Sequence, residues 1–214
     1  MWFGDDIIYK CPNCNRFYSK PTLLSGNSGG AKLFSDTYSY EPMNPKWPDI
    51  TKCTNCNTLL WLYKMKKSTG KEYVEKHGTD NWKDRPIITD LNLDDYIDII
   101  ENKAYETVKD EVFIRIRIVW AFNDRLRENK KLFENKKEEQ IWTVNNIRLI
   151  KLLNYEDIEQ RILLADIYRN AGNFQTCSAI ISSIENEEYN WIKPQYEKEI
   201  EKGNRLVFQL DLTE

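Results

Sequence analysis

Four of the five cysteines in this chain stand in two C-x-x-C pairs, a spacing that could hold a metal ion. The pairs are Cys11–Cys14 and Cys53–Cys56, and the two residues inside each pair allow one tight turn to direct both thiols at one point. Zinc takes four such ligands at tetrahedral corners, about 2.3 Å from each sulfur. We therefore predict that Cys11, Cys14, Cys53 and Cys56 bind one structural Zn2+ ion, with a rubredoxin-like iron site as the alternative.

The two cysteine turns match each other beyond the cysteines. Each turn has Lys before its first cysteine, Asn before its second and Asn after its second. These residues are Lys10, Asn13 and Asn15 in the first turn and Lys52, Asn55 and Asn57 in the second. The position after the second cysteine often needs a positive φ angle, which Asn tolerates better than most residues. The match indicates that both turns serve the same metal site.

Disulfides and a redox dithiol are the alternative uses of these thiols. Disulfides need an oxidising compartment. The chain begins Met-Trp-Phe-Gly-Asp-Asp, without a basic region followed by an apolar run, so we expect no signal peptide and a cytoplasmic location. A thioredoxin-like C-x-x-C belongs to a βαβ pattern, which this sequence lacks. The two pairs are separated by 38 residues, 15–52, whereas the commonest zinc pattern has about 15–20 residues between its pairs. The longer separation predicts a loop or extra strands between the two zinc knuckles.

The remaining residues with chemical potential do not form a catalytic arrangement. His77 is the only histidine, and because four cysteines already complete a zinc shell we expect it in a surface loop, not as a ligand or base. The turn-rich segment 25–30 lacks the Lys-Ser or Lys-Thr of a phosphate-binding loop. We therefore expect no catalytic residues and a protein that is not an enzyme.

The composition indicates a folded protein without a membrane span. Hydrophobic residues make up 41% of the chain and aromatic residues 13%, which is typical of folded domains. The sequence contains no apolar run of about 18 residues. The formal net charge of −3 argues against a duplex-binding protein, which usually has a basic face.

Aromatic and basic residues near the cysteine pairs keep nucleic-acid binding open as an alternative. Aromatic residues and prolines are interleaved in the stretch 33–48, and aromatic rings can stack on single-stranded bases. Lysines follow the second pair, at Lys64, Lys66, Lys67 and Lys71. We favour simpler structures for both: an extended loop packing over the ribbon for 33–48, and a solvated turn for the lysines.

Short strands flank the cysteine pairs. Ile7–Tyr9 leads into the first turn and Phe17–Tyr18 leaves it, so we predict a β-hairpin with the metal at its tip. The apolar run 59–63 after the second pair predicts a buried strand. Because this sheet buries little apolar surface, metal binding, which contributes about 10–16 kcal/mol in small zinc peptides, must supply much of the folding energy. We predict a zinc-ribbon-like β module over residues 1–85.

Residues 86–214 form a predicted α-helical domain. We expect helices over 94–106, 111–128 and 134–153, the first capped by Asn92 with Asp95 as the partner in a capping box. The last of the three carries Ile141, Val144, Ile147 and Ile150 at helical spacing.

Residues 112–119 alternate as a strand would, but the apolar pattern continues through Trp120 to Leu126 without a breaker. That run is too long for one strand, so we predict a helix. Arg115 and Arg117 would then leave the buried helix through a polar edge.

Residues 156–185 predict a pair of helices like one tetratricopeptide (TPR) unit. Gly172 suits a left-handed C-cap and Asn173 suits the N-cap of the following helix. Leu164, Ala165 and Tyr168 stand at helix A positions of that repeat, and Phe174 and Cys177 at the start of helix B; Arg161 replaces the usual Trp. Cys177 is thus most simply a small buried hydrophobe, not a reactive thiol.

The C-terminal segment combines a helix and an extended end. Trp191 and Pro194 open a last predicted helix to about Lys202. Alternation over 206–212 predicts a strand or an extended strap on the core.

The order of these parts resembles a family of uncharacterised bacterial proteins in which a two-knuckle zinc ribbon with a long insert precedes TPR-like helices. The resemblance rests on the segments Cys11-Pro12-Asn13-Cys14, Cys53-Thr54-Asn55-Cys56 and Leu164 to Phe174. Thr54 stands where a second proline is common, Asn15 and Asn57 stand where glycine is common, and only one repeat is recognisable. The implied fold is α+β: a small N-terminal β zinc ribbon with a long insert, then a mostly α-helical TPR-like bundle. That family offers no assigned activity.

Three functions fit these patterns. The first is a non-enzymatic adaptor or scaffold, with a structural zinc ion and helical repeats contacting a protein or peptide partner. The second is a nucleic-acid-binding zinc ribbon, and the third is a redox sensor or enzyme using the thiolates. We favour the first, because four coordinated cysteines leave no open metal position for a substrate.

Overall fold

A computed structural model describes residues 2–77 and 85–212 of the chain. It is a mixed α/β structure with small N-terminal sheets and several helices. The residues divide into two compact units. The cysteine unit contains Met1–Ala31 and Glu41–Leu91, and the helical unit contains Lys32–Tyr40 and Asn92–Glu214. The division into domains 1–85 and 86–214 stays a prediction.

Within the described residues, the strands are short and form four small sheets. In chain order they are β1 (Trp2–Phe3), β2 (Ile7–Lys10), β3 (Phe17–Lys20), β4 (Leu23–Ser25), β5 (Lys32–Phe34), β6 (Ser39–Tyr40), β7 (Ile50–Lys52), β8 (Leu59–Trp61), β9 (Lys67–Thr69) and β10 (Gln209–Leu210). The sheets of the cysteine unit are β3-β2-β9, β7-β8 and β1-β4, and the sheet of the helical unit is β10-β5-β6. All the paired strands are antiparallel.

The predicted hairpin around the first cysteine pair is confirmed. Strands β2 and β3 pair from Ile7 opposite Lys20 to Lys10 opposite Phe17. Strand β9 adds a third strand on the other side of β2, where Tyr9 lies opposite Lys67. This part of the predicted lysine turn is therefore a strand, although Lys64, Lys66, Lys67 and Lys71 are all exposed as expected.

Two predictions after the second cysteine pair need correction. The predicted strand 59–63 ends at Trp61 and continues as a 3-10 helix over Leu62–Lys64, in which Leu62 is buried and Tyr63 is exposed. His77 was predicted to lie in a loop, but it is the last residue of helix α1 (Gly70–His77). Its side chain and the residues that follow it, 78–84, lie outside the described part of the chain.

The core of the cysteine unit is small and includes two of the four predicted metal ligands. The buried residues in contact there are Tyr9, Cys11, Tyr18, Cys53, Leu60, Leu62 and Ile88. Residues 86–91 join this unit through a short parallel bridge: Ser19 N donates to Pro86 O, and Ile88 N donates to Ser19 O. A core of this size cannot offset the chain entropy of its residues easily, so a metal cross-link would add much to its stability.

The helices of the helical unit follow the predicted order. They are α2 (Leu93–Glu101), α3 (Val108–Arg127), α4 (Lys136–Ile150), α5 (Ile158–Asn170), α6 (Phe174–Ser182) and α7 (Lys193–Glu201). The capping box of Asn92 and Asp95 at α2 is confirmed, and Thr107 and Asp110 form an equivalent box at α3. A single helix also covers residues 112–119, as predicted from the continuing apolar pattern.

The buried faces of α3 and α4 differ from expectation. Arg115 is buried, not at a polar edge, because Glu111 accepts a hydrogen bond from its Nε and Asn145 accepts one from its Nη1. On α4 the buried residues are Trp142, Asn145, Asn146 and Leu149. Val144 and Ile147 are 66% and 54% exposed. A buried polar side chain is tolerated where it is hydrogen-bonded, and the Arg115–Asn145 contact meets that condition.

The junction between α5 and α6 is as predicted. Gly172 has φ +81°, the left-handed conformation that favours glycine, and the Asn173 side chain caps α6 by accepting from Thr176 N. Cys177 is fully buried among Ala165, Ile181 and their neighbours in the core. It is therefore a small core residue, as expected. The relation of this helix pair to a TPR array stays a prediction.

The segment between the cysteine pairs is organised differently from the prediction. An extended loop over the ribbon was expected for 33–48, but β5 and β6 form a hairpin within the helical unit. The predicted C-terminal strand is confirmed for Gln209–Leu210, and its partner is β5, with Leu210 opposite Leu33. Strand pairing between such distant segments leaves no local signal in the sequence.

Within residues 2–77 and 85–212, none of the helices combines the length and the apolar character that a membrane span requires.

Candidate metal centre

The two cysteine turns have the same backbone hydrogen bonds. In the first turn, Asn15 N donates to Cys11 O at 3.0 Å and Cys11 N donates to Arg16 O at 2.8 Å. In the second, Asn57 N donates to Cys53 O at 2.8 Å and Cys53 N donates to Thr58 O at 2.9 Å. The turns are thus two copies of one local structure, placed at the ends of β2 and β7.

The predicted role of the two asparagines is confirmed. Asn15 has φ +63° and Asn57 has φ +56°, both in the left-handed region. Asn is among the few residues other than glycine that enter this region readily, because its short side chain can form local hydrogen bonds. The conformation lets the chain reverse after the second cysteine of each turn.

The structure brings the four predicted ligands together. Their sulfur atoms all lie within 4.8 Å of one another. Cys11 Sγ is 3.7 Å from Cys56 Sγ, and Cys14 Sγ is 3.4 Å from Cys53 Sγ. A tetrahedron with metal–sulfur bonds of about 2.3 Å has edges of about 3.8 Å, so these distances fit a tetrathiolate site.

The cysteines are not paired as disulfides. All five are free thiols, which removes the disulfide alternative for Cys11, Cys14, Cys53 and Cys56. Cys11 and Cys53 are fully buried, whereas Cys14 and Cys56 are half-buried. Each turn therefore contributes one ligand from the core and one ligand close to the surface.

Tyr18 is a residue of the site that the sequence did not reveal. Its hydroxyl donates to Cys53 Sγ at 3.1 Å and accepts from the backbone N–H of Thr54 at 2.8 Å. The ring is buried, and Tyr18 lies in strand β3 opposite Tyr9 of β2. Such a bond would orient the ligand and disperse thiolate charge, as partners outside the ligand shell do in metal sites.

Thr58 performs a similar task on the exposed side of the site. Its hydroxyl lies 3.1 Å from Cys56 Sγ and accepts a hydrogen bond from Asn13 Nδ2 at 3.2 Å. Asn13 belongs to the first turn and Thr58 follows the second, so this contact links the two turns directly. A matched pair of turns gives no sequence signal for this cross-contact.

The environments of the thiols give them different pKa values. The hydrogen bond from the Thr58 side chain lowers the pKa of Cys56 to about 6. Burial raises the pKa of Cys11 to about 11. At Cys53, burial acts to raise the pKa, but the hydrogen bonds from Tyr18 and from backbone amides outweigh it, and the pKa is lowered. Since the thiolate is the metal-binding form, Cys53 and Cys56 are prepared as ligands.

Cys177 is not part of this cluster. It lies in the core of the helical unit, where burial raises its pKa to about 12. A buried thiol with a raised pKa is a poor nucleophile and a poor ligand.

The chain matches no family model, no curated protein and no solved structure. The resemblance to bacterial ribbon proteins with TPR-like helices therefore stays a prediction, and the function has to be argued from the site itself.

Proposed function

We propose that this protein is a non-enzymatic metal-binding scaffold, with one structural zinc ion held by Cys11, Cys14, Cys53 and Cys56. The convergence of four free thiols carries the proposal. A bound zinc ion would supply a cross-link between two distant turns. Four thiolates complete the tetrahedral shell, so the site would leave no open position for a substrate.

Elemental analysis of the purified chain tests this proposal. We expect about one zinc per chain, released by a strong chelator and regained on adding zinc. Iron in place of zinc would give a coloured protein and would identify the alternative metal. Cys53→Ser should abolish stoichiometric binding, whereas Cys177→Ala is the matched control, because it removes a thiol outside the cluster. A wild-type chain without metal after refolding with zinc would contradict the proposal.

The scaffold role is supported by apolar side chains on the surface of the helical unit. Val144 and Ile147 lie one turn apart on α4 and both are largely exposed. Exposed apolar clusters on helical proteins commonly mark contacts with other proteins, and helix pairs such as α5–α6 are the usual framework for such surfaces. The partner we propose is a protein or peptide with a complementary apolar face.

Binding experiments with variants on α4 test the scaffold role. We expect Val144→Glu combined with Ile147→Glu to abolish recovery of a partner that wild-type protein enriches. Gln140→Glu adds a negative charge at an exposed position of the same helix and should leave recovery unchanged. Equal recovery with all three proteins would contradict a contact at α4.

Nucleic-acid binding is the second candidate function, and the charge distribution favours it. The cysteine unit contains 12 Lys and Arg against 9 Asp and Glu, a formal charge of +3, whereas the helical unit contains 19 against 25, a formal charge of −6. Lys64 Nζ lies 4.9 Å from the ring centroid of Trp61 and 5.7 Å from that of Tyr63. An aromatic surface with adjacent lysines is typical of single-strand binding sites.

Fluorescence anisotropy with a labelled single-stranded oligonucleotide tests the second candidate. Binding through phosphates must weaken as the salt concentration is raised. The double variant Tyr63→Ala with Lys64→Ala should bind more weakly than wild type at the same salt concentration. Lys202→Ala, an exposed lysine of the helical unit, is the control. No binding at low salt would remove this candidate and leave the scaffold role.

A further inference from the structure

The hairpin of β5 and β6 belongs to the helical unit but lies in sequence between the two cysteine pairs. The chain leaves the cysteine unit after Ala31 and returns to it at Glu41. Cys14 and Cys53 therefore flank an element that completes the other unit. The stretch of chain between Cys14 and Cys53 therefore contributes residues to both compact units.

The tip of the hairpin is a three-residue loop. Thr37 N donates to Phe34 O, and Phe34 N donates to Tyr38 O, both at 2.9 Å. Ser35 and Asp36 occupy the turn, and Thr37 has φ +65°. This is the arrangement of a tight turn followed by a left-handed residue, a position that glycine usually fills.

Asp36 fastens the tip to helix α3. It is fully buried. Its Oδ2 accepts a hydrogen bond from Asn123 Nδ2 at 2.7 Å and forms an ion pair with the Arg127 guanidinium. Its backbone oxygen accepts from Trp120 Nε1 at 2.9 Å. The Arg127 guanidinium also lies over the rings of Phe34 and Tyr38, 4.5 and 4.3 Å from their centroids.

Ser35 fastens the tip to the C-terminal part of the unit. Its backbone oxygen accepts from the Tyr196 hydroxyl at 2.7 Å, and its N–H donates to Phe208 O at 2.9 Å. Its hydroxyl lies 3.4 Å from Nη2 of Arg169, which is itself fully buried and paired with Asp166. Removing the hairpin would thus leave the buried Asn123 amide and the buried Tyr196 hydroxyl without these partners, so docked and undocked are distinct states of the helical unit.

We propose that metal binding at the four cysteines and docking of the hairpin Lys32–Tyr40 are coupled, so that the hairpin acts as a metal-responsive element of the helical unit. The inference rests on the proposed metal site. With the cysteine unit folded around its ion, residues 41–91, which lie between the hairpin and α2 in sequence, belong to one compact unit. With that unit unfolded, docking must close a flexible loop of about 51 residues.

The entropy lost on closing that loop determines how strongly metal binding and hairpin docking are coupled. Loop-closure entropy grows with the logarithm of loop length, so lengthening the effective loop from about 2–10 residues to about 51 weakens docking by about 10- to 100-fold. That range matches the coupling typically found between two sites in one protein. Because linkage is reciprocal, a variant that prevents docking must weaken metal binding by the same factor.

Hydrogen exchange of the wild-type full chain is the direct test. Samples with one equivalent of zinc are compared with samples treated with a chelator, and metal content is measured on both. We expect amides of 32–40 to exchange about 10- to 100-fold faster without metal, while amides of α5 and α6 change little. Unchanged exchange in 32–40, alongside faster exchange in the cysteine turns, would overturn the inference.

The reciprocal test measures zinc affinity by competition with a chromophoric chelator. Asp36→Asn should weaken zinc binding by the same factor, about 10- to 100-fold, although no predicted ligand is altered. Glu111→Gln is the matched control, since Glu111 is also a buried acid but lies on α3, with partners on α3 and α4. Equal zinc affinity for Asp36→Asn and wild type would overturn the inference. A chain that binds no metal at all would instead contradict the proposed function.

Discussion

At the scale of single residues, the candidate metal site includes side chains that are not predicted ligands. The Tyr18 hydroxyl bridges Cys53 Sγ and the Thr54 amide, and Thr58 contacts Cys56 Sγ. These bonds fix the orientation of two sulfurs before an ion arrives. Residues in this role usually affect metal affinity by about 10- to 100-fold.

Removing the Tyr18 hydroxyl should weaken metal binding. Tyr18→Phe keeps the buried ring but deletes the bond to Cys53, so we expect zinc affinity to fall by about tenfold with little change in secondary structure. Competition with a chromophoric chelator measures this effect. Tyr9→Phe, in the same buried core, should keep wild-type affinity. Equal losses in both variants would mean that packing, not the bond to sulfur, is responsible.

Thr37 is a second residue with a measurable effect, because it is β-branched and has φ +65°. Left-handed geometry costs a residue with Cβ about 1–2 kcal/mol, and asparagine tolerates it best among them. Thr37→Asn should therefore stabilise the helical unit by about 0.5–1 kcal/mol in urea unfolding followed by circular dichroism. Thr37→Val retains the strain and should give no gain. Equal stabilisation by Thr37→Val and Thr37→Asn would indicate that side-chain contacts outweigh backbone strain.

At the scale of elements, α3 and α4 are joined by a buried polar cluster. Glu111 accepts from Arg115 Nε at 2.8 Å and from both Nε and Nη2 of Arg148 at 2.9 Å. The hydrogen bonds from Arg148, together with those from Arg115, lower the pKa of Glu111 although burial opposes them. The carboxylate form is thus stabilised in the folded protein.

This lowered pKa predicts a pH dependence of stability. A carboxyl group with a lowered pKa in the folded state contributes stability above its unfolded pKa, near 4.3, and loses it as pH falls through the folded value. Glu111→Gln should cost about 2–3 kcal/mol at pH 7 and much less near pH 3. Urea unfolding of wild type and Glu111→Gln at each pH measures the difference. Release of bound metal at low pH would affect both proteins equally and so cancels in the comparison. A constant difference between pH 3 and 7 would contradict this role.

The elements also show which parts of the fold a sequence can reveal. Asn15, Asn57 and Gly172 were predictable because each backbone conformation depends on its own residue and its immediate neighbours. The two cysteine turns were predictable because the spacing within each turn is local. The solvent-facing side of α4 was not predictable from the sequence, because Asn145 is buried only through its hydrogen bond to Arg115, 30 positions away. The β5–β10 pairing joins segments still further apart and has no local signature.

At the scale of the whole molecule, the two compact units should respond differently to loss of the ligands. Cys11→Ser or Cys53→Ser would remove the proposed metal cross-link, which the small core of the cysteine unit needs for stability. We expect loss of bound metal and of order in that unit, with most of the helical circular dichroism retained. Metal analysis and far-ultraviolet spectra of the same samples measure both. Loss of all helical signal would show that the chain unfolds as one cooperative unit.

The interrupted order of the helical unit also restricts how its gene can be divided. A fragment starting after residue 85 would encode α2 to α7 and β10 but would lack β5 and β6. Asn123, Arg127 and Tyr196 would then face an unfilled space in place of Ser35 and Asp36. Such a fragment should be complemented by a synthetic peptide spanning residues 30–42 added in trans, as in a split protein whose smaller piece is a β-hairpin with short tails.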